Sequence, residues 1–224
     1  MGLQTRWNQI QLSVTDYERT TNRKITILAA TKYGDAEDAA TLIRCGATLI
    51  GENRISDAEP RLSILRNMAL PRFEAHFIGT LQRNKIRRAL DLFSCIQSMD
   101  RDPLFDAIQS ECARQNRTIN AMIQINTGNE AAKSGYTISK VTERHRELFA
   151  FPNIKIIGIM AVTPFFPNPE EVRPLFKSVS HLFTDLQSLY PNLLHLSMGM
   201  SHDYGVAIQE GATMIRIGSA LYGR

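Results

Sequence analysis

Lys32 closes the stretch Ile27-Leu28-Ala29-Ala30-Thr31-Lys32. The residues before it read as a buried strand, so its amine is either a solvated strand end or a group used for chemistry. A lysine partly desolvated among Ala29, Ala30 and cationic neighbours presents a nucleophilic amine, the group that condenses with a carbonyl. Two further stretches have the composition of an anion cradle: Ser197-Met198-Gly199-Met200-Ser201 and Arg216-Ile217-Gly218-Ser219. Gly199 and Gly218 let backbone N–H groups approach a ligand, and Ser201 and Ser219 add hydroxyl donors. The residues from Asp203 and from Ala220 can open helices whose amino ends favour phosphate. The other reading of both glycines is a tight turn between strand and helix. Arg216 ends an apolar run and cannot lose its charge, so it needs a partner. That partner is either a core carboxylate or a ring nitrogen of a bound ligand.

The elements that must position these groups alternate along the chain. Short apolar, β-branched runs at 25–30, 48–50, 75–78, 92–96, 119–125, 154–159, 193–196 and 213–217 are each bounded by turn residues. Segments of helical period lie between them. The clearest spans 170–190, where Val172, Leu175, Phe176, Val179, Leu182, Phe183, Leu186 and Leu189 draw one apolar stripe. Another helix starts at Asp102-Pro103, a capping residue followed by proline, and a third runs over 35–45 until Gly46 ends it. An opening helix over about 3–20 precedes the first strand. Eight strands alternating with helices predict a parallel sheet closed into a (β/α)8 TIM barrel, a single α/β domain over residues 1–224. The rival, an open doubly wound sheet, usually has a glycine-rich turn after its first strand, and only Gly34 follows Lys32.

Barrel sites form where strands end, and phosphate often binds after strands seven and eight. An amine at one rim, an anion cradle across it and an arginine between them fit pyridoxal phosphate (PLP), and the strand ends alone leave a sugar-phosphate barrel enzyme open as the other reading. PLP carries an aldehyde, a phosphate and a pyridine nitrogen that wants a defined partner.

Other functions find less support. The three cysteines, Cys45, Cys95 and Cys112, fit no metal or redox spacing, and the five histidines form no ligand cluster. Packed thiols in a reduced cytoplasm are the expectation. No apolar run is long enough to span a bilayer and no secretory leader is expected, which places the chain off the membrane. The net charge of +4 suits anionic ligands. The basic cluster at 83–88 lacks interleaved aromatics, which argues against nucleic acid and for a solvated helix face.

The chain resembles the pyridoxal phosphate homeostasis protein family, whose barrel is like the N-terminal domain of alanine racemase. The resemblance rests on Leu28-Ala29-Ala30-Thr31-Lys32, Gly51-Glu52-Asn53, His76-Phe77-Ile78-Gly79, Leu81-Gln82 with Asn84-Lys85, Gln124-Ile125-Asn126, Lys133-Ser134-Gly135, Gly158-Ile159-Met160-Ala161, the serine–methionine–glycine stretch at 197–201, and Arg216-Ile217-Gly218. These run in family order over essentially the whole chain. The resemblance implies that Lys32 is the Schiff-base lysine and that Ser201, Gly218 and Ser219 hold the phosphate. It implies that Arg216 faces the pyridine nitrogen, that Asn53 lies beside the cofactor, and that His76 and Met160 lie near the pocket. Lys133 is a candidate for an auxiliary contact or a second PLP site, or else a solvated loop lysine. Three positions depart from the family pattern: Tyr33 for a small polar residue, Arg54 for tyrosine, and His202 for aspartate or glycine.

An arginine facing the pyridine nitrogen disfavours its protonation and weakens the electron sink. The chain also stops at Arg224, shortly after the last run, without the second domain that supplies alanine racemase with its opposing base. The expectation is therefore a PLP-binding protein of PLP homeostasis and not an enzyme, with PLP-dependent apo-enzymes as recipients; the resemblance and the lack of a visible apolar patch imply a monomer. A small PLP-dependent amino-acid racemase is the alternative.

Overall fold

The structure, a computed structural model, describes residues 2–128 and 134–224. Eight parallel strands close into a barrel in sequence order. They are β1 (Thr26–Ala30), β2 (Leu49–Glu52), β3 (Glu74–Phe77), β4 (Cys95–Met99), β5 (Ile119–Asn126), β6 (Ile154–Val162), β7 (His195–Met200) and β8 (Met214–Ile217). Closure is made by β8 on β1, with Ile27 opposite Ile215 and Leu28 opposite Arg216. The helices are α1 (Leu3–Thr21), α2 (Ala36–Arg44), α3 (Ile55–Asn67), α4 (Ile86–Leu92), α5 (Asp102–Arg114), α6 (Ile138–Leu148), α7 (Arg173–Leu189), α8 (Tyr204–Gln209) and α9 (Ser219–Tyr222). None of the described helices is long and apolar enough to cross a membrane.

Strand side chains alternate between two cores, as period two demands. One set faces the helices and joins the larger cluster, with Ala29, Ile50, Phe77, Ile96, Ile123, Ile159, Leu196 and Ile217. The other set fills the barrel: Leu28, Ala30, Leu49, Cys95, Met122, Met160 and Met214. Three of these seven are methionines, whose flexible thioethers fill an irregular interior. Lys32, Gln124 and Arg216 continue the inward phase of β1, β5 and β8, and so bring polar side chains to the mouth.

Several local expectations shift. Leu92 ends α4 instead of opening β4, because the apolar run over 92–96 joins the helix's last buried turn to the strand. Leu193 and Leu194 precede β7, which runs on through Gly199 to Met200. The segment 170–190 is a 3-10 turn, Pro169–Val172, followed by α7. Asp102 does not cap α5: Arg101 holds that place without a side-chain bond. The Asp102 carboxylate instead accepts from Tyr136 Oη at 2.6 Å and Arg144 Nη1 at 2.6 Å, which pins α5 to α6. The helix expected over 35–45 forms with a capping box, Asp35 accepting from the Asp38 backbone N–H. Gly46 follows it at φ 97°, where a side chain is strained.

Candidate functional site

The C-terminal ends of the strands surround a cavity of about 580 Å³, within the range of small-molecule sites. Lys32, Asn53, Met160, Ser201, Arg216, Gly218 and Ser219 all line it. His76 does not. It sits in mid-strand β3, opposite Gly51 and Cys95, and lines a second cavity with Glu74, Asn120 and His195, where strands begin. The motif around His76 belongs to the site through its later residues, Ile78 and Gly79, which do line the first cavity. Lys133 lies outside the described residues.

Lys32 stands two residues beyond β1 and is exposed, not desolvated. Its Nζ lies 4.9 Å from the centre of the Tyr33 ring, and Arg224 approaches the same ring at 5.4 Å. The loop is fixed on both sides of the lysine. Thr31 Oγ1 donates to Glu52 Oε1, and Arg61 Nη1 donates to the same oxygen, both at 2.5 Å. Arg61 Nη2 donates to Gly34 O at 2.7 Å. One buried ion pair therefore ties residues 31 and 34 around position 32.

Arg216 is buried. Its Nη1 donates to Ser197 O at 2.8 Å and Ser197 Oγ at 2.9 Å, and its Nη2 to Ala161 O at 2.8 Å. The core-carboxylate partner is not what the structure provides, since no ion pair involves Arg216 among the described residues. Burial pushes its guanidinium down to about 10, with Asp203 pulling the other way, so it stays charged at neutral pH. A positive charge thus lines the cavity, and among the described residues its hydrogen-bond partners are neutral.

The rims of β7 and β8 are sewn together by Ser201, whose Oγ accepts from Gly218 N at 3.2 Å and Ala220 N at 3.1 Å. The Asp203 carboxylate closes the adjoining turn by accepting from Met200 N at 2.6 Å. The two glycines divide the roles weighed above. Gly199, at φ 86°, serves the turn, and a Cβ there would lie 2.5 Å from the Ala207 Cβ. Gly218 lines the cavity, where a Cβ would crowd Tyr33 and Ala30 at 3.2 and 3.3 Å. The helices opening beside the cradle, α8 and α9, are each under two turns long.

Tyr33, Thr80, Gln124, Ser134 and Met200 also line the cavity and were not singled out as site residues. The inward phase Met122–Gln124 was the signal for Gln124. Its Nε2 donates to Ser134 O at 2.7 Å, which closes that side of the mouth. The basic cluster at 83–88 is a 3-10 turn, Arg83–Lys85, leading into α4. Its Arg83, Arg87 and Arg88 are exposed, and Arg88 pairs with Glu59 at 3.5 Å.

His76 carries a pH prediction. Burial pushes its imidazole down to about 4 from 6.5, His195 adds to this, and Glu74 opposes it. Between those values the unfolded chain binds the proton and the folded one does not. Stability is therefore full above about 6.5 and falls by up to about 3 kcal/mol towards pH 4. Urea unfolding at pH 7 and pH 4.5 should show a smaller acid loss in His76→Leu than in the wild type. Equal losses would contradict it.

Comparisons with known proteins agree with this geometry. Residues 16–224 match the family "Alanine racemase, N-terminal domain". The pyridoxal phosphate homeostasis protein of Aquifex aeolicus (strain VF5) is 38% identical over 198 residues, covering 88% of this chain and 86% of that one. Its namesake in Escherichia coli (strain K12) is 31% identical, covering 89% and 86%. The structure of PipY from Synechococcus elongatus PCC7942 with PLP bound superposes with a TM-score of 0.84 at 26% identity, covering 99% of this chain and 100% of that one. A closed eight-stranded barrel with this rim, matched over nearly its full length by such relatives, belongs to the pyridoxal phosphate homeostasis protein family, built on the alanine racemase N-terminal domain.

Proposed function

We propose that this protein binds PLP at the C-terminal mouth of a single barrel domain, residues 1–224, and serves PLP homeostasis in the cytoplasm. The observation that carries this reading is that Lys32, Asn53, Met160, Ser201, Arg216, Gly218 and Ser219 converge on one cavity around a buried guanidinium that has no ion pair among the described residues. PLP, when bound, supplies an aldehyde, a phosphate and a pyridine ring. Lys32 would be the amine that takes the aldehyde as a Schiff base. Ser201, Gly218 and Ser219 would hold the phosphate, Arg216 would lie towards the ring nitrogen, Asn53 would lie beside the cofactor, and Met160 lines the same pocket.

The role is holding and delivery, not catalysis. The Arg216 charge keeps a facing ring nitrogen unprotonated, because two cations would otherwise meet. Among the described lining residues the titratable side chains are Lys32, Tyr33 and Arg216, so no carboxylate or imidazole there stands ready to move a substrate proton. Delivery to PLP-dependent apo-enzymes by a monomer completes the reading. Purified protein incubated with PLP and L-alanine should retain about one PLP per chain and racemise no faster than free PLP. Turnover on the order of 1 s⁻¹ or faster would assign it to the racemases instead.

A further inference from the structure

The barrel interior contains a hydrogen-bonded chain that runs from the cofactor mouth to the opposite mouth. Arg216 Nη1 donates to Ser197 Oγ at 2.9 Å. Ser197 Oγ donates to Gln97 Oε1 at 2.8 Å. Gln97 Nε2 meets His76 Nδ1 at 2.9 Å and Met214 Sδ at 3.2 Å. His76 Nε2 lies 3.7 Å from Glu74 Oε2. Ser197, Gln97 and His76 are buried, and His76 and Glu74 open on the second cavity, of about 410 Å³.

A guanidinium only donates, so the Ser197 oxygen accepts from it. The Met214 sulfur only accepts, so the Gln97 amide group 3.2 Å from it is the NH2, and the Gln97 carbonyl is left to accept the Ser197 proton. The same NH2 meets His76 Nδ1, which must then be bare. Aligned donors of this kind polarise one another. Of the three acceptors on Arg216, two are strand carbonyls, Ser197 O and Ala161 O. The third, the Ser197 hydroxyl, can rotate, and Gln97 is what holds it.

We propose that Ser197 and Gln97 are positioning residues that aim Arg216 at the cofactor mouth, with neutral His76 setting the orientation of Gln97. This rests on the reading that Arg216 faces the ring nitrogen of bound PLP.

The test loads Gln97→Met, Ser197→Ala, Ser197→Thr, Arg216→Lys and the wild type with PLP. It reads the visible absorption maximum, the PLP dissociation constant and the Tm of the PLP-free protein. Gln97→Met and Ser197→Ala should each shift the maximum and weaken PLP binding about tenfold, and Ser197→Thr, which keeps the hydroxyl, should restore both. Lowered Tm with an unmoved maximum and unchanged affinity in both variants would overturn the proposal, because a merely structural chain behaves that way. If Gln97→Met does not fold, the alanine and threonine pair at Ser197 gives the answer. If Arg216→Lys leaves maximum and affinity unchanged, the reading of Arg216 fails and this proposal with it. If Arg216→Lys moves both while Gln97→Met and Ser197→Ala move neither, only the positioning chain is wrong.

Discussion

Arg61→Met is expected to destabilise the fold by about 3–5 kcal/mol and to loosen the loop that carries Lys32. Glu52 is fully buried, and its ion pair with Arg61 spans 2.5 Å. Removing the cation leaves a carboxylate in the core with one hydroxyl, Thr31, for company. It also strips Gly34 O of its donor. Replacing both partners, in Glu52→Leu/Arg61→Met, should recover most of the stability, since an apolar pair of similar bulk costs little there. It should not recover PLP capture, because Thr31 and Gly34 remain untied on either side of Lys32. Urea unfolding and PLP loading on the same samples separate the two effects. A single variant as stable as the wild type would show that the pair carries no weight.

Gly79→Ala should be nearly as damaging, for a steric reason. A Cβ at position 79 would lie 2.1 Å from Asn53 O and 2.7 Å from Asn53 Cα. Both obstacles are backbone, so no rotamer relieves them, and the rim of β2 must move. Overpacking of this kind costs about 1–3 kcal/mol, and the shift carries Asn53 out of the cavity it lines. PLP affinity should fall by about tenfold or more, the loss of at least one hydrogen bond's worth of contact. Gly51→Ala is the informative contrast. Its Cβ would meet Leu28 Cδ2 at 2.2 Å, a side-chain end that can rotate, so binding should suffer less than in Gly79→Ala. Equal PLP affinity in Gly79→Ala and wild type would remove Asn53 from the account.

Much of the barrel was legible because its signals are local. Turn residues bracket short apolar runs, and Asp35 with Asp38 caps α2 as its sequence implies. Residues just past each run, such as Lys32, Asn53 and Ser201, reach the mouth because parallel strands all end on the same side. His76 was less legible because a motif records neighbours in sequence and not the level of a side chain within the barrel. Mid-strand in β3, it faces the interior one layer below Ile78 and reaches towards the mouth where strands begin. Asp102 has a composition that fits a cap, but Tyr136 and Arg144, 34 and 42 residues later, compete for its carboxylate and win. The chain through Ser197 and Gln97 joins residues 100 apart. Nothing in either local stretch hints at such a pairing, since long-range contacts follow from barrel closure alone.

The central claim is that Lys32 holds the aldehyde of PLP. The direct measurement is borohydride reduction of the PLP-loaded protein, followed by proteolysis and mass spectrometry of the phosphopyridoxyl peptide. The account predicts one modified residue, Lys32, and no covalent label in Lys32→Ala despite a fold of wild-type Tm. Label on another lysine in the wild type, or undiminished label in Lys32→Ala, would contradict it.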